Sequence, residues 1–165
     1  MQKLLDGSFY QYFDSKEDLL IYIMKKHSDK LEKYIGETIK KTNGNIFLIF
    51  ISIYDYMLEE CLNKKDGEFY KNIFKNLREN QEDFFFRKNE IFKRPDLKKF
   101  IKLIDKTGLN ISDKEDIKDI ERIINILFGL TKKAVISNYK YPSKEIAREE
   151  YLKSLEILKY GILKR

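Results

Sequence analysis

The chain has 165 residues, with 33 Lys or Arg against 27 Asp or Glu, for a formal charge of +6. Hydrophobic residues at 42% and charged ones at 36% argue against disorder and suit one folded domain with a real core. One cysteine, one histidine and two prolines exclude a disulfide framework, a four-cysteine or paired-histidine metal site, and a turn-rich β-sandwich or barrel.

At the start, Leu4-Leu5 is followed at once by Asp6 and Gly7, so no secretory signal reads there. The breakers Asn43-Gly44-Asn45, Asp66-Gly67, Arg94-Pro95, Gly108 to Ser112 and Tyr141-Pro142-Ser143 divide the chain into six segments of helical length. The first, 15–41, opens on Ser15 with Asp18 three residues on, a weaker capping box. Its apolar positions (Leu20, Ile23, Met24, Leu31, Tyr34, Ile35, Ile39) keep a 3.6-residue period.

The second segment, 46–62, begins with the β-rich run Ile46 to Ile51, which also suits a buried strand. The stripe Ile49, Ile53, Tyr54, Met57, Leu58 and Cys61 continues for over three turns, so we read one central helix, apolar nearly all round. The opening run is far short of the ~18–20 residues that cross a bilayer. Segments 68–89 and 96–106 follow, then two helices at 113–138, capped by Ser112 or Asp113, and 143–163, capped by Ser143. The fold class is all-α.

The stretch Gly7 to Leu20, GSFYQYFDSKEDLL, resembles the end of the helix-turn-helix of the TetR family of transcriptional regulators. In that family it spans the recognition helix, a tight turn and the start of the helix that joins the DNA-binding and ligand-binding domains. The resemblance implies a reader remnant at 1–14 and a helical ligand-binding and dimerisation domain at 15–165. It implies that Ser8, Tyr10, Tyr12 and Lys16 contact the DNA backbone, with Gly7 and Gln11 nearest the bases. Lys16 at a helix start suits a phosphate, since its ammonium and the open backbone N–H groups point the same way. A plainer reading has the Tyr/Phe cluster packing a linker against the next domain. Met1 to Asp6 supply none of the supporting helices that such a reader needs. Operator DNA is therefore expected as a partner only if an upstream reader is present. A late start, a shortened chain and a true loss are all compatible with that.

No enzyme chemistry is expected. His27 lies on the inner stripe of its helix with no obvious acid beside it, and Glu59-Glu60 and Glu149-Glu150 read as solvated faces. No cofactor or metal is expected either.

Of the 23 aromatics, 11 Tyr and 12 Phe, several fall where central helices should face each other. Phe50, Tyr54, Met57, Phe74 and Leu77 are candidates to line a cavity, with Phe84, Phe85 and Phe128. Solid packing is the plainer alternative. In the family this region encloses the effector pocket, so the resemblance implies a small hydrophobic or aromatic effector, with Tyr54 and Tyr70 as polar anchors.

The last two helices are apolar over more than one face. Ile120, Ile124, Leu127, Thr131 and Val135 form one stripe, and Tyr151, Leu155, Leu158 and Ile162 another. Two such helices from each of two subunits would make a four-helix homodimer interface, as the resemblance also implies. Burial of the pair within one subunit is the alternative. Gly129 would allow close helix approach. The expected function is a cytoplasmic, dimeric TetR-like repressor without a membrane partner. The alternative is a reader-less helical dimer acting as a ligand-binding or protein-interaction module.

Overall fold

The computed structural model describes residues 12–62, 98–112, 116–138 and 141–163. The expected segment 68–89 lies outside the described residues. Five helices appear among them: α1 Lys16–Lys41, α2 Ile46–Leu62, the single turn α3 Lys98–Ile101, α4 Asp116–Ser137 and α5 Lys144–Ile162. The chain is all-α, and the only strand-like feature among the described residues is an isolated bridge between Leu109 and Leu163.

α1 starts where its cap places it. Ser15 Oγ accepts the Asp18 N–H at 3.1 Å and donates to Asp18 Oδ2 at 2.8 Å. At the far end Thr42 closes back on the Thr38 carbonyl through both its N–H and its hydroxyl, each at 2.9 Å. Burial is uneven along the helix: Ile35, Thr38 and Ile39 lie in the core, while Tyr22, Lys25 and Lys26 are exposed. α1 is thus anchored at its C-terminal end.

The turn into α2 uses left-handed backbone at Asn43 (φ 51°) and Gly44 (φ 76°). Asn45 then caps α2, its Oδ1 accepting the N–H groups of Phe47 and Leu48 at 3.1 Å. That cap decides the helix-or-strand ambiguity of Ile46 to Ile51. It starts an i→i−4 ladder at once, with Ile49 N–H donating to the Asn45 carbonyl. Ile46, Phe47, Ile49, Phe50, Ile53, Tyr54 and Leu58 are all buried, and α1, α4 and α5 pack around them. Each such side chain stabilises the fold by about 1.5–3 kcal/mol through burial.

α3 is shorter than the expected 96–106 segment because its exit is captured. The Asp105 N–H donates to the Gly44 carbonyl at 3.0 Å, so the chain after Ile104 bends onto the α1–α2 corner. The same stretch reaches the other end of the fold, where Asn110 N–H donates to the Ile162 carbonyl at 2.7 Å. Ser112 donates its N–H to Asp119 Oδ2 of α4 at 2.9 Å, while Asp113 and the residues up to 115 lie outside the described residues. α5 is capped as expected, by Ser143 Oγ accepting the Ile146 N–H.

A Cβ at Gly44 would fall 2.3 Å from the Leu103 carbonyl oxygen and 2.7 Å from Asp105 N, both backbone atoms. Gly108 has the same backbone hand (φ 77°) but open space around it. Gly44→Ala is expected to cost about 2–4 kcal/mol, and Gly108→Ala about 1 kcal/mol. Urea unfolding midpoints of the two variants check this; equal losses would contradict the close approach at Gly44.

Candidate functional site

The core holds one polar knot, where α2, α4 and α5 meet. Thr131 is a hydroxyl residue on the apolar stripe of α4, and Tyr151 sits at the matching level of α5. The Tyr151 hydroxyl donates to the Phe50 carbonyl of α2 at 3.1 Å and lies 2.9 Å from Thr131 Oγ1. Thr131 Oγ1 also bonds the Leu127 carbonyl at 2.8 Å. Both side chains are buried, so these bonds form in a low-dielectric interior where an unmade one is costly.

The Tyr54 ring stacks on Tyr151, with centroids 4.2 Å apart and planes 10° from parallel. Tyr54 is fully buried, yet its hydroxyl has no hydrogen-bond partner among the described residues. Burial pushes its phenol up to about 12, with the Asp55 carboxylate adding to the shift. Burial also pushes Tyr151 up to about 12, against the lowering effect of the Thr131 bond. Next to this pair, Arg148 of α5 grips Asp55 of α2 in two parallel bonds, Nε to Oδ1 at 2.7 Å and Nη2 to Oδ2 at 2.9 Å. Both partners are about two-fifths exposed, so the pair fixes geometry more than it adds stability.

Of the expected ligand residues, Phe50 and Tyr54 come together here, both buried. Met57 and Phe128 are half-buried against the same core. Tyr70, Phe74, Leu77, Phe84 and Phe85 lie outside the described residues. A shallow, open groove does form between α1 and α3, lined by Asp29, Glu32, Lys33, Gly36 and Phe100. None of the expected ligand residues lines it.

The residues expected at a dimer face pack within this chain's own core. Ile120, Ile124, Leu127, Thr131, Val135, Tyr151, Leu155 and Ile162 are buried within this single chain, and Leu158 is half-buried against its core. They meet α2 and each other, because an all-round apolar α2 draws the strongest stripes of α4 and α5 onto itself. The outward faces of those helices carry Ile126, Ile146, Ile157 and Tyr160, the last two each 73% exposed. Gly129 brings no helix close: a Cβ there would meet nothing within 4 Å.

Of the residues expected to contact DNA, Gly7, Ser8, Tyr10 and Gln11 lie outside the described residues. Tyr12 is exposed in the turn before α1, and Lys16 is the first residue of that helix. Phe13 packs its ring on Tyr22, 5.5 Å away, tying the turn to α1. His27 does have an acid beside it: Glu60 of α2, at 3.9 Å. The two are 33 positions apart, so only the packing of α1 on α2 joins them. Glu149 and Glu150 both reach Lys153 on their own helix. No group of His, Cys, Asp or Glu among the described residues is placed to hold a metal, and no helix among them is long and apolar enough to cross a membrane.

A family model described as "Tetracyclin repressor-like, C-terminal domain" matches residues 45–162. No curated protein and no solved structure gives a significant match to the chain.

The two stacked tyrosines respond oppositely to loss of their hydroxyls. Tyr151→Phe is expected to lower stability by about 1–2 kcal/mol, and Tyr54→Phe to raise it by about 1 kcal/mol, in urea unfolding. A loss of stability in Tyr54→Phe would show that its hydroxyl is already satisfied. Both phenols are held neutral in the fold, so their folded values lie above the unfolded ~10. Their contribution is complete below about pH 10 and lost as pH rises through about 12. Thermal melts across that range are expected to show Tm falling, less steeply in Tyr151→Phe.

Proposed function

The chain belongs to the TetR family of regulators, and on that premise we propose that it is the sensing and pairing part of a DNA-binding repressor. It binds a small hydrophobic or aromatic effector, forms homodimers in the cytoplasm, and is not an enzyme. Gly7, Ser8, Tyr10, Gln11, Tyr12 and Lys16 belong to the operator-contacting end.

One observation carries this reading: the uneven anchoring of α1. Its last two turns are fixed in the core by Ile35, Thr38 and Ile39, while its first turn follows directly on the GSFYQYF motif. A 26-residue helix spans ~39 Å, so a small shift where α1 meets α2 becomes a larger displacement at Lys16. Two readers on two subunits would change spacing together, and operator affinity with them.

For the homodimer, the outward faces of α4 and α5 are the surfaces left over. Ile126, Ile146, Ile157 and Tyr160 supply the apolar part, and Lys153, held by Glu149 and Glu150, supplies polar contacts. An isologous pairing buries these residues twice, once from each subunit.

Sedimentation equilibrium at micromolar concentration is expected to give twice the 19.9 kDa chain mass, and Ile157→Glu with Tyr160→Glu to give one chain with unchanged helicity. A single-chain mass for the unsubstituted protein would overturn the dimer. Fluorescence anisotropy with DNA flanking the gene tests the regulator itself. The expected result is salt-dependent binding by a protein that carries a complete reader. An intact dimer with a complete reader but no DNA binding would favour the alternative, a ligand-binding or protein-interaction module.

A further inference from the structure

Resting on the effector-binding reading above, we propose that the Tyr54 hydroxyl is the polar recognition point for the effector, which is a neutral apolar or aromatic molecule bearing a hydroxyl or carbonyl group. Tyr54 is completely enclosed, and its hydroxyl finds no partner among the described residues. A buried polar atom without a partner is uncommon in folded proteins and calls for an explanation. Its stacking partner Tyr151 turns its own hydroxyl to the Phe50 carbonyl and to Thr131.

The surroundings select the chemistry of the ligand. Asp55 and Arg148 close on each other through two bonds, so neither charge is presented alone to an incoming ion. An ion brought to the buried Tyr54 hydroxyl, carboxylate or ammonium, would lose its water without gaining an unpaired counter-ion. A neutral phenol both donates and accepts, so a hydroxyl or a carbonyl completes it equally well. Phe50 and Leu58, one turn on either side of Tyr54 on α2, and Met57 beside them, offer an apolar wall for the body of the molecule. Because Tyr54 is enclosed, the ligand selects a locally opened state of the bundle. Binding is thereby coupled to the packing around α2.

Three small probes test this: p-cresol, toluene and p-toluate, titrated against the chain and against Tyr54→Phe by calorimetry. In the unsubstituted protein p-cresol is expected to bind roughly tenfold tighter than toluene, the worth of one neutral hydrogen bond, with p-toluate weakest. Tyr54→Phe is expected to bring p-cresol to within twofold of toluene and to leave toluene unchanged. Persistence of the p-cresol preference in Tyr54→Phe overturns the proposal, as does equal binding of p-cresol and toluene to the unsubstituted chain. Either result leaves the effector reading standing. Binding of none of the three at millimolar concentration counts against that reading itself and removes this proposal with it.

Discussion

A helix that is apolar on nearly every side is stable in water only when other elements cover it all round, and α2 imposes that demand on the rest of the chain. α1 covers it with Ile35 and Ile39, α4 with Ile120, Ile124 and Leu127, and α5 with Tyr151 and Leu155. The loop through Asp105 and Asn110 then closes both ends, one on Gly44 and the other on Ile162. The directions of the flanking helices follow from this covering. So does the use of their strongest stripes inside the chain rather than between chains.

Apolar covering alone does not choose one register among many, and here polar atoms do the choosing. The Tyr151 hydroxyl must meet both Phe50 and Thr131, which aligns α5 with α2 and α4 at one level. Arg148 and Asp55 repeat that alignment one turn away, at a half-exposed position. A slip of α5 by one turn would break both sets of bonds and leave buried hydroxyls without partners. Tyr54 stands apart within this arrangement. Its ring is fixed by stacking on Tyr151, while its hydroxyl makes no hydrogen bond among the described residues.

The sequence made the elements readable because local chemistry determines them. Ser15 and Ser143 cap as their spacing suggests, and Asn43-Gly44-Asn45 turns the chain where its residues permit left-handed backbone. The β-rich run Ile46 to Ile51 stayed ambiguous from propensity, and its length of stripe rather than its residue types pointed to a helix. What periodicity cannot show is which of two apolar faces a neighbour will cover. The stripes of α4 and α5 expected at a dimer face are the ones that pack on α2 within this chain. The bonds of Tyr151, the Asp55–Arg148 pair and the His27–Glu60 contact join residues 20 to 101 positions apart. A polar residue on an apolar stripe, as at Thr131, was the one available signal for them.

A core around α2 holds the C-terminal end of α1 through Ile35, Thr38 and Ile39, while Tyr22, Lys25 and Lys26 nearer its start are exposed. Amide hydrogen exchange on the chain measures this directly, residue by residue. Amides from Ile49 to Leu58 are expected to exchange only through global unfolding, as are those of Ile35 to Ile39. Those of the first ten residues of α1 are predicted to exchange orders of magnitude faster. Equal protection along the whole of α1 would contradict that uneven anchoring, because a helix held at both ends cannot carry a displacement from the core to its tip.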